Sequence, residues 1–341
     1  MVAESLTLLL GSPLFDIHQG SRPYFAIPVG EVPLARKVLA SAPNPLEREA
    51  GLAAEYRALV ETLLAGQMPF RVLNPDAGTP AMARWLAERG CARLDFDYPG
   101  TGYWVRYPRD LFVLLEPVAT LLVNPGLFRI DATERRGYRI LHSPWGEGGR
   151  VLLSGDCLLV GADPQQPQLP DAPLLDALRE RGMRIAAIPQ GLFQDLAPAA
   201  QSPALFGDAH IDRVASLLRD RAGAAHLLLS AGYRSGPASA PWSAQRSLDE
   251  VRRACAPLEI EVHQPRSRFP YGASVVQLPD GRVLGNAGDT EVNGLLAQLV
   301  GTRGLLLTPR PLRHYPLFAR AGLHCLVTES PVPLIAPLGS G

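Results

Sequence analysis

The sequence predicts an α/β fold assembled from ββαβ-type repeats, and three observations predict it. A strand, a tight turn, a second strand, an amphipathic helix and a third strand recur in that order along the chain. The 33 prolines and 32 glycines are scattered between apolar segments instead of gathered in one linker, as many short elements joined by frequent turns require. With 47% hydrophobic and 19% charged residues, the composition is that of a folded globule.

Residues 46–73 supply a lone helix and strand. Within them PLEREAGLAAEYRALVETLLAG carries apolar residues at helical spacing, which marks a packing element and not a cofactor box. WVRYPRDLFVLL and ATLLVNP, about Glu116-Pro117, are paired strands, with no clear helix before residue 143. The clearest unit starts at Glu147: RVLLSGDCLLVGAD is two strands about Ser154-Gly155-Asp156, PLLDALRERG a helix ending at Gly182, and MRIAAIP a strand. The next opens at Asp208 with HIDRVASLL, meets HLLLSAGY across Gly223, passes a Pro/Ser/Gly loop, and continues through the helix SLDEVRRAC to EIEVHQP. From Gly272, ASVVQL and RVLGNA flank the turn Pro279-Asp280-Gly281, EVNGLLAQLVG is a helix and LLLTP a strand. LHCLVTES and PLIAPLG form a last strand pair without a helix of its own, so the two chain ends, joined in space, complete a fifth unit. Repeats that cannot bury their own faces must stack or close. A ring of five brings the beginnings of the first strands round one axis, and the whole chain, 1–341, is expected to form one catalytic domain.

Composition excludes several functions. Thirty-three basic against 33 acidic residues give no basic face for nucleic acid. No apolar run reaches the roughly 18 residues of a membrane span, and Glu4 stands where an export signal carries basic residues. Cys91, Cys157, Cys255 and Cys325 lie far apart, which supports neither a disulfide framework nor a CxxC-type zinc site. A soluble cytoplasmic protein with reduced thiols is expected.

Several reactive side chains fall at unit openings: Asp110, Glu147, His210 with Asp212, and Cys325. Alternation along a strand puts His210 and Asp212 on one face and Ile211 on the other. Each has a plainer reading: Asp212 as a turn cap, Glu147-Gly148-Gly149 as a glycine bend, Asp110 as an ion pair with Arg109 or Arg106, Cys325 as an inert buried thiol. The two glycines remove bulk where backbone approaches a ligand. His324 is poorly placed to activate Cys325, since adjacent strand residues face opposite ways, and His210 is the better partner.

The set Arg109-Asp110, Glu147-Gly148-Gly149, His210-Ile211-Asp212 and His324-Cys325 resembles the pentein superfamily of guanidine-modifying enzymes, which includes the arginine and agmatine deiminases, dimethylarginine dimethylaminohydrolase and the glycine amidinotransferases. The resemblance implies a five-bladed α/β propeller with its site on the pseudo-fivefold axis. It implies Cys325 as nucleophile, His210 as general acid and base, Asp110 and Asp212 as carboxylates holding guanidinium nitrogens, and Glu147 assisting the histidine or the substrate. Glu147-Gly148-Gly149 tilts the choice toward hydrolases, whereas Pro108-Arg109-Asp110 is also similar to amidinotransferases. Arg150 departs from the polar or acidic residue common in the hydrolases; if it points inward, it suits a carboxylate-bearing substrate.

A guanidinium is a planar cationic fork that carboxylates hold by paired, charge-assisted hydrogen bonds. Its charge lowers the pKa of a nearby thiol on binding. The expected function is therefore guanidino hydrolysis, deiminase-like, through a thiouronium on Cys325. The alternatives are amidino transfer to an amine acceptor and a noncatalytic binding scaffold. The expected partner is a small-molecule or peptidyl guanidinium. The chemistry requires no metal or organic cofactor.

Overall fold

The computed structural model describes residues 6–11, 26–28, 45–95, 107–124, 134–135, 137–145, 148–162, 172–189, 192–195, 205–207, 210–231, 244–267, 269, 271–314 and 322–330. The chain begins with β1 (Thr7–Leu10), β2 (Ala26–Pro28), α1 (Pro45–Ala65), β3 (Phe70–Leu73), α2 (Pro80–Glu88) and β4 (Ala92–Leu94). A helical turn, α3 (Pro108–Leu111), then leads into β5 (Phe112–Leu115), β6 (Thr120–Val123), β7 (Glu134–Arg135) and β8 (Tyr138–His142). The third stretch is β9 (Val151–Ser154), β10 (Cys157–Ala162), α4 (Ala172–Glu180) and β11 (Arg184–Pro189). After β12 (Leu192–Asp195) and β13 (Leu205–Gly207), the pattern repeats as β14 (Ala215–Arg219), β15 (Ala225–Leu229), α5 (Ala244–Cys255) and β16 (Glu261–His263). It repeats again as β17 (Val276–Gln277), β18 (Val283–Gly285), α6 (Thr290–Val300) and β19 (Leu305–Leu307), and the described chain ends with α7 (Leu323–Leu326) and β20 (Val327–Ser330).

Five of the sheets share one local topology: an antiparallel strand pair whose second member pairs in parallel with a third strand. The pairs are β9-β10-β11, β14-β15-β16, β17-β18-β19, β5-β6-β8 and β20-β1-β3. In the fifth, Val327–Ser330 pairs with Thr7–Leu10, a strand that the sequence reading did not assign, and the expected partner PLIAPLG lies outside the described residues. The physical reason is burial: Leu8, Leu9 and Leu10 are each fully enclosed, with hydrophobic neighbours on both faces.

The cores explain how units join, because each draws on two successive units. Leu9 and Leu73 pack with Phe112 and Leu121; Val113 and Leu122 with Val160 and Leu175; Leu152 and Leu159 with Leu217 and Leu227; Leu218 and Leu228 with Val283 and Leu296. The remaining core joins Val276 and Leu284 back to Leu8, Leu10 and Val327. Within it α1 buries Leu52, Tyr56, Leu59, Val60 and Leu63, spaced on one helical face, and Tyr56 Oη donates to the Gly11 carbonyl at 2.9 Å. Burial of each such side chain contributes roughly 2 kcal/mol, so α1 is the packing element its pattern predicts. Among the described residues no helix is long and apolar enough to cross a membrane.

Candidate active site

Four of the sequence segments singled out above meet where first strands begin. α3, the 3₁₀ turn Gly148–Arg150, the 3₁₀ turn Ile211–Arg213 and α7 each precede a first strand. α3 touches both α7 and the turn at 148–150, and the turn at 211–213 touches both as well. Two of these turns correct the sequence reading. His210-Ile211-Asp212 and His324-Cys325 lie in helical turns and not on strands, so side-chain alternation places neither pair. Ile211 instead anchors its turn in the core, fully buried, while Asp212 turns into the site.

The glycines are required by close approach to protein atoms, which replaces the ligand approach expected from sequence. A Cβ on Gly148 would lie 2.1 Å from the Arg109 carbonyl, and one on Gly149 would lie 2.4 Å from His210 Nδ1 and 3.1 Å from Asp212 Oδ1. The same numbers place His210 and Asp212 side by side over the 148–149 backbone. Glu147 lies outside the described residues.

Cys325 completes the set. Its Sγ is 3.7 and 3.6 Å from Asp212 Oδ1 and Oδ2, across 113 residues of sequence, and the residue is 3% exposed. Burial pushes the thiol pKa up and the Asp212 carboxylate pushes it further; a hydrogen bond with His210 and the charge of Arg213 pull it down, and Asp110 raises it again. The resting group is therefore a thiol held among carboxylates. Asp110 is half-buried in α3, where its amide donates to the Tyr107 carbonyl at 3.0 Å and its own carbonyl accepts from Asn124 Nδ2 at 3.1 Å.

Arg109 is the residue whose role sequence reasoning missed. It had been weighed as an ion-pair partner for Asp110; instead its Nε lies 3.4 Å from Asp212 Oδ2, and its Nη2 donates to the Val151 carbonyl at 2.6 Å. Asp212, with no exposed surface, thus carries an internal guanidinium on one oxygen. His324 stands apart from the thiol chemistry. Burial, then the nearby Arg109 charge, holds its pKa well below the ordinary imidazole range, so it is neutral. With Arg109, Thr328 and Glu329 it lines a cavity of about 70 Å³. A Cβ on Gly322 would lie 2.0 Å from Ser274 Oγ, so Ser274 is what seats the start of α7.

A wider cleft of about 880 Å³ opens at the hairpin-turn ends, lined by Arg219, Asp220, Arg282 and Glu329 among others, and none of the expected site residues lines it. Two of its arginines are already paired, Arg219 with Asp156 and Arg282 with Asp280.

No family model and no curated protein matches this sequence. Among solved structures the chain is similar to a mutant dimethylarginine dimethylaminohydrolase from Pseudomonas aeruginosa complexed with citrulline, at 15% identity and a TM-score of 0.41 over 74% of this chain and 91% of that one. It is similar to SxtG, an amidinotransferase of saxitoxin biosynthesis from Microseira wollei, at 13% identity and a TM-score of 0.41 over 95% and 94%. A dimethylarginine dimethylaminohydrolase adduct with 4-chloro-2-hydroxymethylpyridine matches at 14% identity and a TM-score of 0.45 over 96% and 100%. These proteins belong to the superfamily that the sequence motifs resemble.

Proposed function

We propose that this chain hydrolyses the guanidinium group of an arginine-related substrate through a covalent intermediate on Cys325. One observation carries the proposal: a thiol, an imidazole and two carboxylates, from three remote segments of the chain, are gathered at one buried point. That thiol is held protonated by burial and by the Asp212 charge. A bound guanidinium adds positive charge beside the thiol, so it lowers the thiol pKa as it arrives and favours activation by cationic substrates. Asp110 and the Asp212 oxygen not paired with Arg109 hold the guanidinium nitrogens, fixing the central carbon before Sγ.

The thiol proton passes to His210 as Sγ bonds to the carbon. His210 then returns a proton to the departing amine as its C–N bond breaks, leaving a thiouronium. Water, deprotonated by the now neutral His210, adds to the same carbon, and the C–S bond breaks to give a urea-type product and the free thiol. Glu147 is assigned as an aid to His210 or to the substrate. Five repeated sheets linked by shared cores support the reading of one five-bladed propeller domain over 1–341, with β1 and β20 closing the ring.

The test is turnover of a panel of guanidines, with and without amine acceptors, reading ammonia, ureido product and transferred amidino group. Ammonia with a ureido product is expected from the wild type, and its loss from Cys325→Ser. Amidino transfer to an added amine would identify a transferase using the same intermediate. Full turnover by Cys325→Ser would falsify the mechanism.

A further inference from the structure

A second cluster of reactive side chains lies at the opposite end of the β14–β15 hairpin from His210, and the proposed hydrolysis makes no use of it. His226, at the turn end of β15, is in register with Glu261 of the neighbouring parallel strand β16. Glu261 and His263 are two residues apart on that strand and so face the same side as His226. His226 Nδ1 is 3.0 Å from His263 Nε2. One carboxylate oxygen of Glu261 is 3.5 Å from His226 Nδ1 and the other 3.8 Å from His263 Nε2.

We propose that His226, Glu261 and His263 form a binding site for a divalent d-block cation of the Zn²⁺ type, which clamps the short strand β16 to β15. The geometry fits in three respects. Ligand atoms about 2.0–2.1 Å from a tetrahedral zinc stand about 3.3 Å from one another; the two ring nitrogens here are 3.0 Å apart, and with one donor atom taken from each residue all three lie within 4.8 Å of one another, a spread that rotation of the exposed Glu261 side chain closes to that edge. Two imidazoles and one carboxylate are a donor set that zinc accepts, with a fourth position for water. Glu261, with a 67% exposed side chain, leaves that position open to solvent.

The third respect is the support behind His226. Asp220 Oδ1 accepts the backbone N–H groups of Ala222 and Ala224 at 2.9 and 2.8 Å, which fixes the carboxylate in its turn. Its other oxygen stands 3.4 Å from His226 Nε2. At that distance Nε2 makes no hydrogen bond, but the carboxylate beside it favours the tautomer with the proton on Nε2, which leaves the Nδ1 lone pair aimed at His263 and Glu261; a metal-bound imidazole with a carboxylate behind it has the same arrangement. Asp220 is thus a positioning residue. The competing occupant of the gap between the rings is a single proton, bonded to His263 Nε2 and donated to His226 Nδ1.

The two are separated by Zn²⁺ binding to tag-free full-length protein stripped with a chelator, measured in a Cys325→Ser background because the thiol site also offers sulfur and imidazole. One equivalent is expected to bind and to raise the melting temperature. His263→Gln in the same background is expected to weaken binding at least tenfold and to abolish the thermal shift. Glu261→Gln, at an exposed position, is the second variant, expected to weaken binding several-fold should His263→Gln fold poorly. Absence of saturable Zn²⁺ binding, or binding that neither variant changes, overturns the proposal in favour of the shared proton. Neither result bears on guanidine turnover, so the two proposals fail separately.

Discussion

Two places in this molecule set a cysteine against an aspartate and arginine, and they differ in what else stands beside the thiol. At the turn end of the β9–β10 hairpin, Cys157 Sγ is 3.7 Å from Asp156 Oδ1, Arg184 Nη2 reaches the sulfur at 2.9 Å, and Arg184 and Arg219 both pair with Asp156. At the strand-opening end, Cys325 faces Asp212, with Arg109 on that carboxylate and the charge of Arg213 nearby, and adds His210 and Asp110. Burial raises both thiols most. The next influence differs in sign: Arg184 lowers Cys157, whereas Asp212 raises Cys325. The first cluster pairs its aspartate with two cations. The second sets an imidazole and two carboxylates beside the thiol, the setting that the proposed cationic substrate requires.

The largest effect that breaks the comparison is on turnover. Cys325→Ser and His210→Ala are each expected to lower kcat by on the order of a thousandfold, since nucleophile and proton carrier act as a unit. Cys157→Ser is expected to stay within about twofold if it folds. Initial rates of ammonia release measure all three, and equal losses at Cys157 and Cys325 would erase the distinction drawn between them.

The next effect is on stability. Arg109→Met removes a cation from the fully buried Asp212 charge and is expected to destabilise the fold by about 3 kcal/mol. Arg184→Met removes one of two partners from an aspartate that keeps access to water, for about 1 kcal/mol. Urea unfolding at neutral pH separates these outcomes, and near-equal losses would mean that the Asp212 pair is not dry.

How far the sequence foretells this comparison depends on what kind of interaction sets each residue. The ββαβ units were legible because hairpin turns such as Ser154-Gly155-Asp156 and the amphipathic helices α1, α4, α5 and α6 are specified locally. Cys325, His210 and Asp212 were legible as unit openings, but the alternation argument for His210 and Asp212 failed because the chain coils into a 3₁₀ turn before β14 begins. The pairing of β1 with β20 joins opposite ends of the chain and has no local signal. Arg109 was visible in its motif, yet nothing in Pro108-Arg109-Asp110 says that its guanidinium crosses to Asp212. The His226 cluster had a readable half, Glu261-Val262-His263 with both polar groups on one strand face. Its other half depends on the β15–β16 register.

Glu329 extends the contrast to pH. Burial, and then the Glu116 carboxylate, push its pKa up from 4.5 to about 7, against a lowering by Arg109. The folded state binds this proton more tightly than the unfolded chain, so stability is greatest below the ordinary value and falls as pH rises from about 4.5 to about 7. The full shift corresponds to about 3 kcal/mol at most. Glu329→Gln is expected to leave stability near pH 4.5 little changed and to raise it at pH 8. Parallel pH curves for the two proteins would show that Glu329 is not held protonated.

Asp156 has the opposite sign and the smallest magnitude. Its hydrogen bond with Arg184, the chief cause, holds its pKa at about 2 against an ordinary 3.8. The native state therefore releases this proton more readily, and the stabilisation is present above about pH 4 and lost as pH falls toward 2. Because the side chain is 38% exposed, solvent screening reduces the contribution to about 1 kcal/mol. Asp156→Asn is expected to cost that much at pH 7 and nothing near pH 2. Salt sharpens the difference between the two aspartates: at 1 M the Debye length shrinks to about 3 Å, which erodes the Asp156 contribution and leaves the enclosed Asp212–Arg109 pair almost untouched. An Asp156→Asn penalty that persists undiminished in high salt would place that cluster in the same dry regime as the thiol site. The imidazole beside Cys325, and not its enclosure, would then be what distinguishes the two clusters.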